Sequence, residues 1–291
     1  MKHTRLISLF LAAMMLLPLI PALAEEDDPE FIGDFPEESN VELILLEDEA
    51  LESVKQTEDF ATEPFIPEGM EKAIFGGDNR FTITNTYEYP YSAIAYLELQ
   101  FACGYTSTAS GFMVGPSGMV TAGHCVICSE DGCGLKYMTA YFGYRNSKNY
   151  GYKYSDKFTY WYSNNYQYNG SSIATSTNWD YAYIKLNKRV GDSTGWLGIA
   201  AWSDSKLDYI MVEVAGYRHG VLKTDWDFAR LYNDYLLVYQ NDTEPGNSGC
   251  PVIDADGYVV AINIAHDNQY NYGRRITSTL LSNMDEIGLF D

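Results

Sequence analysis

The sequence predicts an all-β, antiparallel fold, a barrel or a sandwich, with one short helix at its C-terminal end. Three observations support this. From Ala73 onward, short apolar or alternating runs are separated by Gly, Asn, Asp and Pro at the spacing of antiparallel strands and turns. The strand-helix alternation that builds a parallel sheet is missing. Only Thr279–Ile287 has helical spacing, and it stands at the end of the chain.

The first 72 residues are of another kind. Met1–Ala24 joins a basic start, Lys2 and Arg5, to an apolar run from Leu6 to Ile20 and a small-x-small ending, Ala22-Leu23-Ala24. This is the pattern of a secretory signal (1–24); interrupted by Pro18, the apolar run falls short of the roughly 20 residues that span a bilayer. Residues 25–72 hold 18 of the 40 acidic residues against two lysines, a net charge of −16. Such repulsion opposes compaction, so the segment reads as an acidic pro-segment ordered by docking on another surface. Lys72-Ala73, where acid gives way to aromatic and β-branched sequence, is the expected processing point.

Residues 73–291 carry 22 acids against 15 bases. They are long enough for one large or two small domains. Without a cation excess to neutralise phosphates, nucleic acid is not an expected partner. No later run of 18 apolar residues occurs, so no membrane span is expected either.

In chain order, strands are expected at Ile94–Leu99, Gly111–Val114, Met138–Phe142, Tyr181–Leu186, Ile210–Ala215, Tyr235–Tyr239 and Tyr258–Ile264. Asn146–Thr177, rich in Tyr, Asn and Ser, reads as a long surface loop or hairpin without a fixed period.

Three histidines follow residue 72: His124 in Thr-Ala-Gly-His-Cys, His219 in a Tyr-Arg-His-Gly turn, and His266 beyond a strand. Ser248 lies in Glu-Pro-Gly-Asn-Ser-Gly-Cys-Pro, where flanking glycines allow a tight loop whose N–H groups converge on one point. Asp180 opens the alternating run Asp-Tyr-Ala-Tyr-Ile-Lys-Leu. Acyl transfer needs these three types together. A serine hydroxyl is a weak nucleophile, a neutral imidazole must take its proton, and a carboxylate must fix the tautomer.

In the order His, Asp, Ser, the local strings resemble the chymotrypsin-like serine proteases, specifically the secreted bacterial glutamyl endopeptidase branch. The anchors are Ala-Ile-Phe-Gly-Gly-Asp-Asn-Arg (73–80), Ser110–Val114 leading to Thr-Ala-Gly-His-Cys, Asn-Trp-Asp-Tyr-Ala-Tyr-Ile-Lys-Leu, Val-Ala-Gly-Tyr (214–217) and Pro-Gly-Asn-Ser-Gly-Cys-Pro-Val. The resemblance implies two six-stranded antiparallel β-barrels, 73–190 and 191–291, with a triad of His124, Asp180 and Ser248 in the cleft between them. It implies an oxyanion hole at the N–H groups of Gly246 and Ser248. A monomer acting on polypeptides, without cofactor or metal and with its own pro-segment as partner, is the expected form. A proteolytically inactive binding module using Asn146–Thr177 is the rival.

The resemblance also implies where specificity lies. Thr243 matches the branch's pocket Thr, but Asn263 stands where the branch has a His, which removes its chief acid-binding group and weakens a preference for Glu. His266 and Arg274 are the cations that could replace it. Asn247, before the serine, carries no charge to pair with a new N-terminus; in this branch the freed N-terminus, here Ala73, is instead placed near the pocket. For the five cysteines, the pairs Cys103 with Cys125 and Cys128 with Cys133 are favoured, with Cys250 a buried thiol, although spacing does not fix connectivity. Cys125, Cys128 and Cys133 hint at zinc but lack a fourth ligand nearby, and export favours oxidation. Asp254-Ala-Asp256-Gly reads as a hairpin turn, lacking the later ligands of a calcium loop.

Overall fold

The computed structural model describes residues 78–128, 132–163, 165–166, 177–267 and 269–291. The signal, the acidic segment and the Lys72-Ala73 junction lie outside the described residues.

The first sheet contains β2 (Ile94–Phe101), β3 (Thr106–Met113), β4 (Gly118–Thr121), β5 (Leu135–Phe142), β8 (Lys153–Tyr154), β9 (Phe158–Tyr162) and β10 (Ala182–Leu186). Its order is β8-β5-β2-β3-β4-β10-β9, a curled half-barrel; β6 (Tyr144–Arg145) and β7 (Lys148–Asn149) form a small hairpin beside it. The second sheet contains β1 (Phe81–Thr82), β11 (Gly198–Ile199), β12 (Ile210–Arg218), β13 (Val221–Leu231), β14 (Leu236–Tyr239), β15 (Pro251–Asp254), β16 (Tyr258–His266) and β17 (Asn271–Arg275). Here β14 pairs with both β17 and β13, which closes a six-stranded barrel. The expected all-β architecture therefore stands, one lobe closed and the other a half-barrel. Short helices α1 (Gly191–Thr194) and α2 (Asp204–Leu207) lie in the connection, and α3 (Ser278–Glu286) ends the fold, capped by the Thr277 hydroxyl accepting from the Leu280 N–H.

Alternation explains the strands. In the first lobe Ile94, Leu97, Phe112, Val120, Ala140 and Ile184 are fully buried; in the second, Val212, Leu237, Val252 and Val260 are. Each expected strand lies within or overlaps an observed one. The expected loop 146–177 differs: Phe158–Tyr162 pairs with β10 as a sheet strand. The charge-studded β13 had no expected counterpart.

Both ends of the described chain cross between lobes. Phe81 and Thr82 pair with Thr224 and Lys223 of the second barrel. At the other end, the carbonyl of Leu289 packs where a side chain on Gly115 or Gly118 would sit, Ser117 donates to the Asp291 carbonyl (3.0 Å), and Lys185 donates to the Gly288 carbonyl (2.9 Å). No helix among the described residues is long and apolar enough to cross a membrane.

Candidate active site

β4 runs into a single 3₁₀ turn, Gly123–Cys125, that presents His124. Asp180 follows another 3₁₀ turn, Thr177–Trp179, and precedes β10, the neighbour of β4. The two residues meet at two points: the His124 backbone N–H donates to Asp180 Oδ1 (2.9 Å), and Nδ1 lies 2.8 Å from Oδ2. Gly123 permits this approach, since a Cβ there would stand 3.1 Å from Oδ1. The Asp180 side chain is 8% exposed and that of His124 27%. Burial pushes the imidazole down, but the adjacent Asp180 carboxylate and, less strongly, the Cys125 sulfur override it and hold His124 well above its ordinary 6.5.

Ser248 lies on the loop between β14 and β15. Gly246 and Gly249 have φ of +106° and +81°, which side-chain-bearing residues adopt only under strain. A side chain on Gly249 would also collide with Thr121 and the Ser110 carbonyl of the first lobe, so the serine loop sits directly on the strands leading to His124. Ser110 makes the join. Its N–H donates to the Ser248 carbonyl (2.9 Å), its hydroxyl donates to the Gly246 carbonyl (2.9 Å), and that hydroxyl accepts the Tyr217 N–H (2.8 Å). Cys125, beside His124, has its sulfur 3.9 Å from the same Ser248 carbonyl. Among the described residues no backbone carbonyl accepts from the N–H of Gly246 or Ser248.

Asn247 fixes the loop from within. Its amide donates to the Tyr217 carbonyl (3.1 Å), its Oδ1 accepts from the Glu244 N–H (2.7 Å), and its own N–H reaches the Glu244 carbonyl (2.9 Å). An aspartate could not make the first of these bonds. Glu244 is gripped by Arg80 and by Arg218 (3.0 Å). Arg80 in turn binds Asp78 (2.8 Å), and the Asn79 N–H donates to Asp242 (2.9 Å).

Of the residues expected to read the substrate, Thr243 donates to Asn271 Oδ1 (2.6 Å). Asn263 is 5% exposed and engaged at both ends of its amide, accepting from the Tyr239 hydroxyl (2.7 Å) and donating to the Asn247 carbonyl (3.3 Å). His266 is exposed and is the cross-strand partner of Asn271, which puts its side chain on the face that carries the Thr243 contact. Arg274 is elsewhere: fully buried, it stacks between Tyr181 (5.1 Å) and Tyr235 (5.2 Å). His219 sits at the exposed tip between β12 and β13. The sequence reading missed Ser110 and Asn271; in hindsight Ser110, a small polar residue inside an apolar strand end, was the available signal.

Of the expected cysteine arrangement, Cys128 lies beside Cys133 and Cys250 is buried as expected, but Cys103 is placed with that pair and not with Cys125. Cys103 faces Cys128 (3.6 Å between sulfurs) and Cys133, whereas Cys125 lies under the Ser248 loop. The turn between β2 and β3 carries Cys103 to Cys128 and Cys133.

The trypsin-like peptidase domain family matches residues 109–262, just over half of the chain. An extracellular metalloprotease of Bacillus subtilis (strain 168) is 32% identical over 221 residues, covering 73% of this chain and 68% of that protein. A glutamyl endopeptidase of Bacillus licheniformis is 28% identical over 228 residues, with the same shares covered. Among solved structures, a Glu endopeptidase in complex with MPD matches with a TM-score of 0.63 at 22% identity, over 74% of this chain and 99% of that one. The protease Anisep from Arthrobacter nicotinovorans matches with a TM-score of 0.55 at 19% identity, over 68% and 96%. With the family match, the glutamyl endopeptidase relative and the architecture in agreement, the chain belongs to the trypsin-like peptidase family, as a chymotrypsin-like serine protease.

Proposed function

We propose that the protein is a secreted serine endopeptidase, made as a precursor, that cleaves polypeptides through His124, Asp180 and Ser248. The observation that carries this reading is the two-point grip of Asp180 on His124 beside a loop that Ser110 rivets to the same strands. Asp180 holds the Nδ1 proton in place, which leaves Nε2 as the base. Ser248 Oγ attacks the scissile carbonyl as Nε2 takes its proton; the imidazolium then protonates the leaving amine, and water repeats the sequence on the acyl-enzyme. The amides of Gly246 and Ser248 receive the oxyanion, each donor lowering the barrier by about 3 kcal/mol.

The substrate pocket is framed by Thr243 with Asn271, and by His266 across the strand pair. Asn263 supports the wall and binds nothing that enters. Without a buried cation the pocket reads a glutamate side chain through the exposed imidazole of His266 and through the neutral Thr243 hydroxyl once it turns from Asn271. Glu is therefore preferred over Gln by less than about tenfold, a neutral bond being about half as strong as a charge-assisted one. Residues 1–24 direct export and 25–72 form the pro-segment. Cleavage after Lys72 frees Ala73, five residues from Asp78, at the end of the strap that binds Asp242 and Glu244. The mature enzyme is a monomer of two lobes, divided near residue 190.

A fluorophosphonate probe tests the reading: the processed chain should label at Ser248 and the Ser248→Ala variant should not. A processed wild-type chain that never labels would end the proposal.

A further inference from the structure

Cys103, Cys128 and Cys133 come from two separate loops of the first lobe. Cys103 is in the turn between β2 and β3, which Gly104 closes at a φ of +92°; Cys128 follows His124 by four residues, and Cys133 lies just beyond the next turn. Their three sulfurs lie within 4.8 Å of one another, with Cys103 and Cys128 at 3.6 Å. Backbone bonds fix all three positions: the Ala102 N–H donates to the Gly134 carbonyl (3.0 Å), Cys128 to Cys133 (2.8 Å), Gly132 to Cys128 (2.9 Å) and Leu135 to Val126 (2.8 Å). The Cys103 N–H also points at the Cys133 sulfur (3.2 Å).

We propose that these three cysteines form a binding site for zinc, separate from the catalytic residues. A tetrahedral zinc with Zn–S bonds of about 2.3 Å places its sulfur ligands about 3.8 Å apart, close to the 3.6 Å between Cys103 and Cys128 and within the 4.8 Å that bounds all three. The set is soft, which selects zinc or monovalent copper over calcium or magnesium. Three is also the informative number: a single disulfide would leave one sulfur of the cluster over, whereas one ion engages all three. The fold brings Cys103, not Cys125, to Cys128 and Cys133, so the set differs by one residue from the one the spacing suggested. Binding releases the thiol protons to solvent and changes no oxidation state. The ion would clamp the β2–β3 turn to the loop that carries His124, a structural role in which it touches no substrate.

The test uses the full chain expressed in zinc-supplemented medium and purified without chelator. Metal analysis should find one zinc per chain. Exchange for cobalt should produce the near-ultraviolet sulfur-to-cobalt absorption of a thiolate site. Cys103→Ser and Cys133→Ser should each lower zinc affinity by more than about tenfold, while Cys250→Ser should retain it. The proposal is overturned if peptide mapping of the wild-type chain finds a disulfide within the cluster and no metal. It is equally overturned if cobalt binds without the sulfur band, or if zinc binds the cysteine variants as tightly as the wild type. Because the cobalt spectrum is read on the wild-type protein, a variant that fails to fold does not spare the proposal.

Discussion

The Ser110 hydroxyl is shared between two segments of the other lobe, donating to Gly246 and accepting from Tyr217. It sets the height of the serine loop relative to His124. Ser110→Ala strands a buried N–H and a buried carbonyl, a loss of about 1–3 kcal/mol. The expected result is a lower unfolding temperature together with a fall in kcat that exceeds any rise in KM. Thermal unfolding and steady-state kinetics on one peptide substrate check it.

In the proposed mechanism His124 acts as a base only when neutral, and Asp180 holds its pKa well above 6.5. Activity should therefore decline as pH falls through a value above 6.5, not below it. Asp180→Asn removes the carboxylate that raises the imidazole and fixes its tautomer. In that variant kcat should drop by about 10⁴-fold, and the acid limb should move down. A pH profile of kcat/KM for both proteins decides this.

Glu213, in the middle of β12, is buried and accepts from the Tyr91 hydroxyl (2.9 Å) and from Thr224. Burial raises its pKa to about 7 despite those bonds. The folded protein thus keeps a proton that the unfolded chain has lost. Stability is fully present below about 4.5 and is lost as pH rises to 7, by on the order of 3 kcal/mol. Glu213→Gln should flatten that slope and raise the unfolding temperature at pH 8 more than at pH 5. Equal shifts at both pH values would contradict the assignment.

The strap at residues 78–80 holds Glu244, four residues before Ser248, through the almost buried side chain of Arg80. Arg218 holds the same carboxylate but is more exposed, and exposed pairs contribute little. Arg80→Ala should reduce kcat by about tenfold, for a loss near 1.4 kcal/mol in loop positioning, and Arg218→Ala by much less. Burst-phase kinetics with an ester substrate would separate acylation from binding.

Much of this was legible in the sequence because the informative strings are local. The glycines around Ser248, the small residues before His124 and the alternating run after Asp180 each fix a short backbone path, and the family resemblance joins them. What stayed hidden depends on register and on contacts between distant segments. Val221–Leu231 did not read as a strand because its four charges, Lys223, Asp225, Asp227 and Arg230, give it the composition of a loop although Leu222 to Phe228 alternates; in the fold Asp225 is satisfied by the N–H groups of Asp242 (2.7 Å) and Trp226 (3.0 Å). Phe158–Tyr162 was lost in a tyrosine-rich stretch whose composition resembles a loop, and its place beside β10 weighs against a purely adhesive surface there. Asn263 looked like a degraded recognition residue, yet its two bonds inside the barrel give it a different job. The meeting of Cys103 with Cys128 spans 25 positions, beyond any spacing rule.

The tail that carries Leu289 against Gly115 and Gly118 has a consequence for how the molecule is made. Protein synthesis usually lets an early unit mature before a later one appears. Here a wall of the early half is completed by Leu289, far later in the chain than the glycines it covers. The two halves should therefore acquire protection against hydrogen exchange together, and a nascent chain stalled before residue 289 should remain open to protease in both.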